Sequence, residues 1–302
     1  MRTGRATAGS GPRATLLRDV PLQAPPARLR SFRVTVWKYW KEHGRHDLPW
    51  RKTKDPYRVI VSEVMLQQTQ VPRVIEKYKE FLKKFPTARA LAKASLSDVL
   101  KVWSGLGYNR RGKYLHDAAK QIVEVGNIKK ALASHLPGVG PYTRAAVRVF
   151  AYNEPDILIE TNIRTAFIHH FHSNVLQNVT ISDVEIIPPA TLAAEGQDPR
   201  KWHWALMDYG AYLKRSGVRN NHRSAHYTKQ SKFEGSLRQV RGTILRELHS
   251  GSKTALTLYS LIRANKRIAG KALEGLAHDG LIVKVRPRRI GLGSKKGKWR
   301  IA

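Results

Sequence analysis

LPGVGPYT at residues 136–143 reads as a tight loop running into a helix, and it sets the frame for the rest of the chain. Pro137 cannot continue a helix, while Gly138 and Gly140 let the backbone turn sharply and approach a ligand with no Cβ in the way. Pro141 suits the first turn of the following helix, whose unpaired N–H groups and positive dipole end face the loop. With Val139 between the glycines, such a hairpin has the means to hold a phosphate through its main chain. The continuation, PYTRAAVRVFAY, repeats apolar residues at three- and four-residue spacing, which predicts an amphipathic helix.

The same spacing extends outward on both sides. Asp55-Pro56 predicts an N-cap followed by proline at the first helical position, with the helix running through Glu63 until Pro72 restarts the chain. LKKFPTARALAKASLSDVLKVWSGLGY (82–108) and RRGKYLHDAAKQIVEV (110–125) are helical in pattern. No strand is expected before residue 280.

The 302 residues hold 55 Lys and Arg against 22 Asp and Glu, a formal net charge of +33. A polyanion is the natural partner, since each phosphate neutralised releases a counterion. Charge alone fits a basic ribosomal or chromatin-associated protein without catalysis as well as an enzyme. The length suggests two domains or one with an appendage, and 41% hydrophobic residues suffice for a substantial core. No apolar run approaches the roughly 18 residues of a membrane span, so the expectation is a soluble protein with no membrane partner. There is no cysteine, which excludes disulfides and is compatible with a reducing interior.

Residues 1–30 carry six arginines and one acid, Asp19, among Pro, Gly and Ala, and read as a disordered basic arm. An organelle transit peptide is the alternative, disfavoured by few serines and irregular apolar spacing. From about 234 the composition changes. SLRQVRGTILRELHSG, TALTLYSLIRAN and RIAGKALEGLAHDG predict three short helices, and LIVKVRPRRIGLG (281–293) predicts two strands around a basic turn. That order suggests a winged helix-turn-helix over 234–302, with the helix near 267–278 entering a groove and Arg286, Arg288 and Arg289 in the wing. A packing domain with a solvated turn is the alternative, but residues 281–302 hold eight basic residues and no acid, which favours DNA contact.

Residues 47–215 resemble the helix-hairpin-helix DNA glycosylase superfamily, and within it the adenine DNA glycosylases that act on A opposite G or oxidised G. The resemblance is carried by LPWR (48–51), DPY (55–57), SEVMLQQTQV (62–71), WSGLGY (103–108), LPGVGPYT, Asn162 and ALMDYGA (205–211). One Gly-Pro string alone is usually a turn, whereas seven blocks in the family's order are specific. The resemblance implies a mainly α fold with a two-lobed helix-hairpin-helix core over 31–233; the small winged-helix-like domain read from residues 234–302 follows it. It also implies a monomer acting on mismatched or damaged double-stranded DNA in base-excision repair, inside the cell with the DNA, in cytoplasm, nucleoid or nucleus.

The chemistry that the resemblance implies needs a proton for the departing purine, stabilisation of a cationic sugar and a directed water. Glu63 matches the family's catalytic acid, and Val64, Met65 and Leu66 are available to wall a pocket that raises its pKa. Glu160 stands where relatives have an aspartate, and a carboxylate there can stabilise or attack the sugar cation. Glu is one methylene longer, and a small misplacement can cost about 100-fold in rate. Tyr142 occupies the position of the imine-forming lysine of bifunctional relatives; tyrosine cannot form that imine, so base removal without efficient strand cleavage is expected. Tyr142 and Asn162 match residues that orient carboxylate and water. Gln67, Gln68, Thr69 and Tyr108 match residues around the lesion, a Gln filling the vacated stack and the aromatic wedging beside the orphan base.

Most relatives carry four cysteines just after the segment matching ALMDYGA, holding an iron–sulfur cluster. Here the same place reads YLKRSGVRNNHRSAHYTKQSKF, so no cofactor is expected; His222 and His226 read as solvated or phosphate-facing rather than metal-binding. Two alternatives remain at the level of sequence: a thymine or uracil mismatch glycosylase on this scaffold, and a DNA-binding protein that lost catalysis through Glu160.

Overall fold

The computed structural model describes residues 25–302 apart from 174–175, 177, 231, 263–264 and 286–296. Pro26, at the first helical position after Pro25, starts helix α1 (Pro26–His43). The helix thus begins inside the stretch expected to be a disordered arm, because proline's fixed φ suits a helix start. Residues 1–24 of that arm lie outside the described residues. Asp55 caps α2 (Pro56–Leu66) as expected, its carboxylate accepting from the Tyr57 amide at 2.9 Å. The helix stops before Gln67, and Gln68 takes φ +54°, so the QQT segment is a turn leading into α3 (Val71–Lys84). The helical run at 82–108 is broken twice, by caps: Thr87 starts α4 (Ala88–Lys93) and Ser95 starts α5 (Leu96–Trp103), each hydroxyl accepting a main-chain amide at 3.1 Å.

Next come α6 (Arg110–Val125), α7 (Ile128–Ala133), α8 (Pro141–Tyr152), α9 (Thr161–Phe171), α10 (Asp183–Ala194) and α11 (Pro199–Arg215). Two lobes form. In one, α2 packs on α3, α6 and α8; in the other, α1 returns to pack on α10 and α11, and α9 crosses α11. One hydrophobic core runs through both, including the fully buried Phe32, Phe81, Trp103, Phe167 and Trp202. No helix among the described residues is long and apolar enough to cross a membrane.

Gly210 shows why the α9–α11 crossing is so close. A Cβ built there would lie 1.9 Å from the Asn162 carbonyl oxygen, a separation that no rotamer relieves because the obstacle is main chain. Gly210→Ala should therefore force the helices apart, costing about 1–3 kcal/mol or more as overpacking does. It should also move Asn162 and, with Asn162 in the role that the resemblance implies, slow base excision. Urea unfolding and single-turnover rates check both; wild-type values for each would show that the crossing has slack.

The C-terminal part has its own apolar cluster, built from α12 (Leu237–His249), α13 (Ala255–Ile262), α14 (Lys266–His278) and a small sheet, with Leu100 of α5 joining from the core. The sheet has order β1-β3-β2 in antiparallel pairing, from β1 (Lys253–Thr254), β2 (Ile282–Val285) and β3 (Lys298–Ile301). This is a winged-helix-like arrangement, with two departures from expectation. A strand does occur before 280, too short at two residues to show alternation. The strand that pairs with β2 is KWRI (298–301), beyond the stretch 281–293 expected to hold both strands, and its Ile301 is buried. Arg286, Arg288 and Arg289 lie outside the described residues.

Candidate active site

Four residues on three helices, from both lobes, form the site. Glu63 lies on α2, one turn before its end, and is 9% exposed. Tyr142 sits in the first turn of α8, directly after the hairpin. Glu160 and Asn162 start α9. Burial pushes the Glu63 carboxyl up to about 8, helped by the like charge of Glu160. Burial likewise raises the Tyr142 hydroxyl well above its ordinary value, and Glu63 and Glu160 add to the rise. Tyr142 therefore stays a neutral phenol within the field of both carboxyl groups.

Glu160 is the N-cap of α9. Its Oε1 accepts from the main-chain amides of Asn162 (2.8 Å) and Ile163 (3.0 Å), and its Oε2 accepts from Asn162 Nδ2 (3.1 Å). The extra methylene of glutamate is thus taken up by folding the carboxylate back onto the positive end of its own helix. Burial raises its pKa, opposed by those two amides and by the charges of Lys214 and Arg164. Glu160 has donors that favour its ion, while Glu63 has burial and a like charge. Of the two, Glu63 is the one that keeps its proton at neutral pH.

The expected lesion-side residues gather beside this pair. A cleft of about 830 Å³ is lined by Gln68, Thr69, Tyr108, Glu160 and Asn162, together with Lys214. Gln67 Nε2 donates to Thr143 Oγ1 at 3.3 Å, fastening the end of α2 to the start of α8. In the hairpin, Leu136 and Val139 bridge, and Gly138 takes φ +73° with its α-carbon close over Tyr114, where a Cβ would lie at 2.9 Å. Val139 is buried in the core, whereas Gly140 is exposed, and nothing lies within 4 Å of the place of a Cβ on it. Pro137 and Gly140 do not share the cleft with Glu160; of the hairpin, Gly138 reaches a neighbouring cleft with Gln67, Gln68 and Tyr108.

Sequence reading missed the residues that hold these parts still. Arg111, buried on α6, donates to the Val64 and Met65 carbonyls at 2.8 and 3.1 Å, and to Thr69 Oγ1 and the Leu106 and Gly107 carbonyls at 3.0–3.2 Å. Its guanidinium lies over the rings of Trp103 and Tyr108, so one side chain ties the Glu63 helix to the GLGY loop. Asp208 is buried and gripped by Arg51 at 2.7 and 2.9 Å and by the main chain and side chain of Arg45. Burial pushes the Asp208 carboxyl up, but Arg51 and Arg45 outweigh it and hold it below the usual range. Arg51 and Asp208 belong to two of the quoted blocks, LPWR and ALMDYGA, and that was the available signal; nothing in the sequence set Arg111 apart from the other basic residues.

After α11 the chain is held by polar contacts. Asn220 Nδ2 donates to the Thr165 carbonyl at 3.0 Å, Thr165 Oγ1 donates to Asn221 Oδ1 at 2.6 Å, and the buried Arg223 donates to the His172 carbonyl at 3.1 Å. His226, read as solvated, does face a carboxylate, Asp183 at 3.3 Å. Among the described residues no group of three or more His, Cys, Asp or Glu is placed to hold a metal.

The sequence profile of the HhH-GPD superfamily base excision DNA repair proteins matches residues 61–186. Over 284 residues the chain is 31% identical to the adenine DNA glycosylase of Mycolicibacterium smegmatis, covering 85% of this chain and 94% of that protein. This chain belongs to the adenine DNA glycosylase family of the HhH-GPD superfamily. The adenine DNA glycosylase of Homo sapiens is 37% identical over 209 residues, 65% of this chain and 37% of the human protein. The chain also spans about half, 52%, of the relative from Buchnera aphidicola. Among solved structures, a thermostable thymine-DNA glycosylase superimposes with a TM-score of 0.55 at 25% identity, covering 64% of this chain and 91% of the other. Family membership accounts for the two-lobed core as one fold. The short hairpin between α7 and α8 is its helix-hairpin-helix element.

Proposed function

We propose that this chain is a monofunctional adenine DNA glycosylase of base-excision repair, hydrolysing the N-glycosidic bond of adenine paired with guanine or 8-oxoguanine. One observation carries the reading: a buried carboxyl held protonated at neutral pH, Glu63, beside a carboxylate fixed by three N–H donors, Glu160. Glu63 donates its proton to the departing purine, so the base leaves neutral. As the bond to the sugar lengthens, Glu160 stabilises the positive charge that develops there. Asn162 fixes the orientation of Glu160, and the neutral Tyr142 phenol offers a hydroxyl to either carboxyl or to the attacking water. No primary amine stands at position 142, so no imine forms there and the strand stays intact.

Duplex DNA is the partner. The hairpin Pro137–Gly140 and the first turn of α8 supply main-chain groups for a phosphate, Gln68 and Tyr108 take the space vacated by the extruded base, and α14 adds contacts along the duplex. The enzyme works as a monomer without an iron–sulfur cluster: the chain has no thiolate to offer, and Asn220, Asn221 and Arg223 fasten the segment after α11 by hydrogen bonds instead.

The test is a panel of duplexes carrying A:8-oxoG, A:G, T:G, U:G and A:T, incubated with the protein and then split with or without alkali. Cleavage at adenine only after alkali is the expected result, with little borohydride-trapped complex. Cleavage at T or U would select a mismatch thymine or uracil glycosylase; the similar solved structure is named a thymine-DNA glycosylase. Binding without any product would mean a DNA-binding protein.

A further inference from the structure

Tyr108 is held from the C-terminal domain. Its hydroxyl accepts from Arg238 Nη1 at 2.6 Å and from Gln230 Nε2 at 2.7 Å. The Arg238 guanidinium lies 5.0 Å from the centre of the Tyr108 ring and 5.3 Å from that of Phe233, and Arg111 contacts the Tyr108 ring at 5.4 Å. Tyr108 itself has φ +46° and Gln68 φ +54°, a left-handed backbone that is costly for non-glycine residues and is met at sites where a side chain must be aimed.

The domain that carries Arg238 is fixed to the core. Leu100 of α5 enters its apolar cluster, and Asp279, just past α14, pairs both with Arg241 of α12 and with Arg110 of α6, the latter at 3.2 Å. Between the two parts lies a cleft of about 740 Å³, lined by Gln67, Gln68, Tyr108 and Gly138 on one side and by Arg238 and Arg241 on the other. The residues read as wedge and stack-filler therefore share a cleft with two arginines of the appended domain.

We propose that Arg238 reads an unpaired guanine left when the target base is extruded, donating to its O6 and N7; 8-oxoguanine, whose N7 carries a hydrogen, does not offer the fork this pair of acceptors. The proposal rests on the reading above that Gln68 and Tyr108 stand beside the vacated stack. A guanidinium is a planar fork whose paired N–H groups match the two adjacent acceptors of guanine, a match that adenine, cytosine and thymine do not offer. Held to the hydroxyl and ring of Tyr108, Arg238 stands beside the residue that wedges next to the orphan base. The winged-helix-like domain thereby selects the opposite base through α12, the helix against the core, and not only through contacts of α14 with the duplex.

The experiment uses binding, so that it does not depend on catalysis. Duplexes carry a tetrahydrofuran abasic analogue opposite guanine, 7-deazaguanine or cytosine, and affinities are measured for the full chain, Arg238→Ala and Arg238→Lys. The unmodified protein is expected to favour guanine over 7-deazaguanine by at least about fivefold, the lower end for a bidentate contact. Both variants should lose that ratio while holding the cytosine duplex within about twofold, Lys because it keeps the charge but not the fork. An undiminished guanine ratio in Arg238→Ala, or equal weakening against all three opposite bases, overturns the proposal; the second outcome marks a phosphate contact or a prop for Tyr108. Excision of adenine is scored separately: a guanine preference that depends on Arg238, without excision, sinks the proposed activity and leaves this inference standing.

Discussion

Glu63→Gln is expected to lower the single-turnover rate of base excision by about 10²–10⁴-fold, the usual worth of a positioned general acid, while duplex affinity stays within a few fold. The amide keeps the shape of the carboxyl but has no proton to give. The pH dependence carries the same information. With the Glu63 carboxyl pushed up to about 8 by burial and by Glu160, the wild-type rate should fall as pH rises through about 8, and the residual rate of the variant should not share that inflection.

The substitution itself should act on stability in the opposite sense to its effect on rate. Below pH 4.5 the Glu63 carboxyl is protonated in both the folded and the unfolded chain, so it adds no pH dependence. Between 4.5 and about 8 the folded state keeps a proton that the unfolded chain gives up. Wild-type stability therefore declines with rising pH over that window by as much as about 1.4 kcal/mol per pH unit from this group. Glu63→Gln removes the decline, so the variant should gain in melting temperature over wild type on going from pH 5 to pH 8. This is the usual relation between a strained catalytic group and stability. A wild-type rate in the variant, or a melting difference that does not grow with pH, removes Glu63 from the role of acid.

Asp208→Asn should be the most destabilising single change outside the core packing. The Asp208 and Arg51 side chains are 1% and 4% exposed, and the amide would leave two arginines facing a neutral group. Breaking a buried pair by removing one partner costs about 3–5 kcal/mol, against about 5–15 kcal/mol for the whole fold. Thermal and urea unfolding measure it directly. The effect should reach the chemistry as well, since Asp208 lies two residues from Gly210, where α11 touches the main chain of Asn162. A loss below about 1 kcal/mol, the level of an exposed ion pair, would mean that water reaches the Arg51–Asp208 pair.

Local signals in this chain were legible because their causes are local. Asp55 and Pro56 fix the start of the Glu63 helix through one side chain and one ring, and Gly138 marks a tight turn; both could be read without knowing what lies across the core, whereas the close approach of Gly138 to Tyr114 could not. The quoted blocks also gave the family, and with it Glu63, Tyr142, Glu160 and Asn162 as a set. Glu160 shows the limit of that route. Its extra methylene suggested a displaced carboxylate, and only the position of its own backbone, at the N-cap of α9, shows the side chain folding back onto the Asn162 and Ile163 amides.

What tertiary structure alone decided is distance and burial. A pKa of about 8 for Glu63 depends on what surrounds it after folding, from a helix in each lobe, and no spacing along the chain encodes that environment. The pairing of Arg51 with Asp208 spans 157 positions, and the clamp of Arg111 on the end of α2 spans 47; among so many cations, sequence offered no way to pick the buried ones. The two-residue strand β1 exists because β3 lies beside it. Arg238 reaches Tyr108 across 130 positions only because the appended domain docks on α5 and α6. Composition fixed this protein's partner class and its lack of thiolates, since charge and chemistry are properties of the residues themselves. Glu63, Glu160 and the contact of Arg238 with Tyr108 come together only where folding has brought separate segments of the chain side by side.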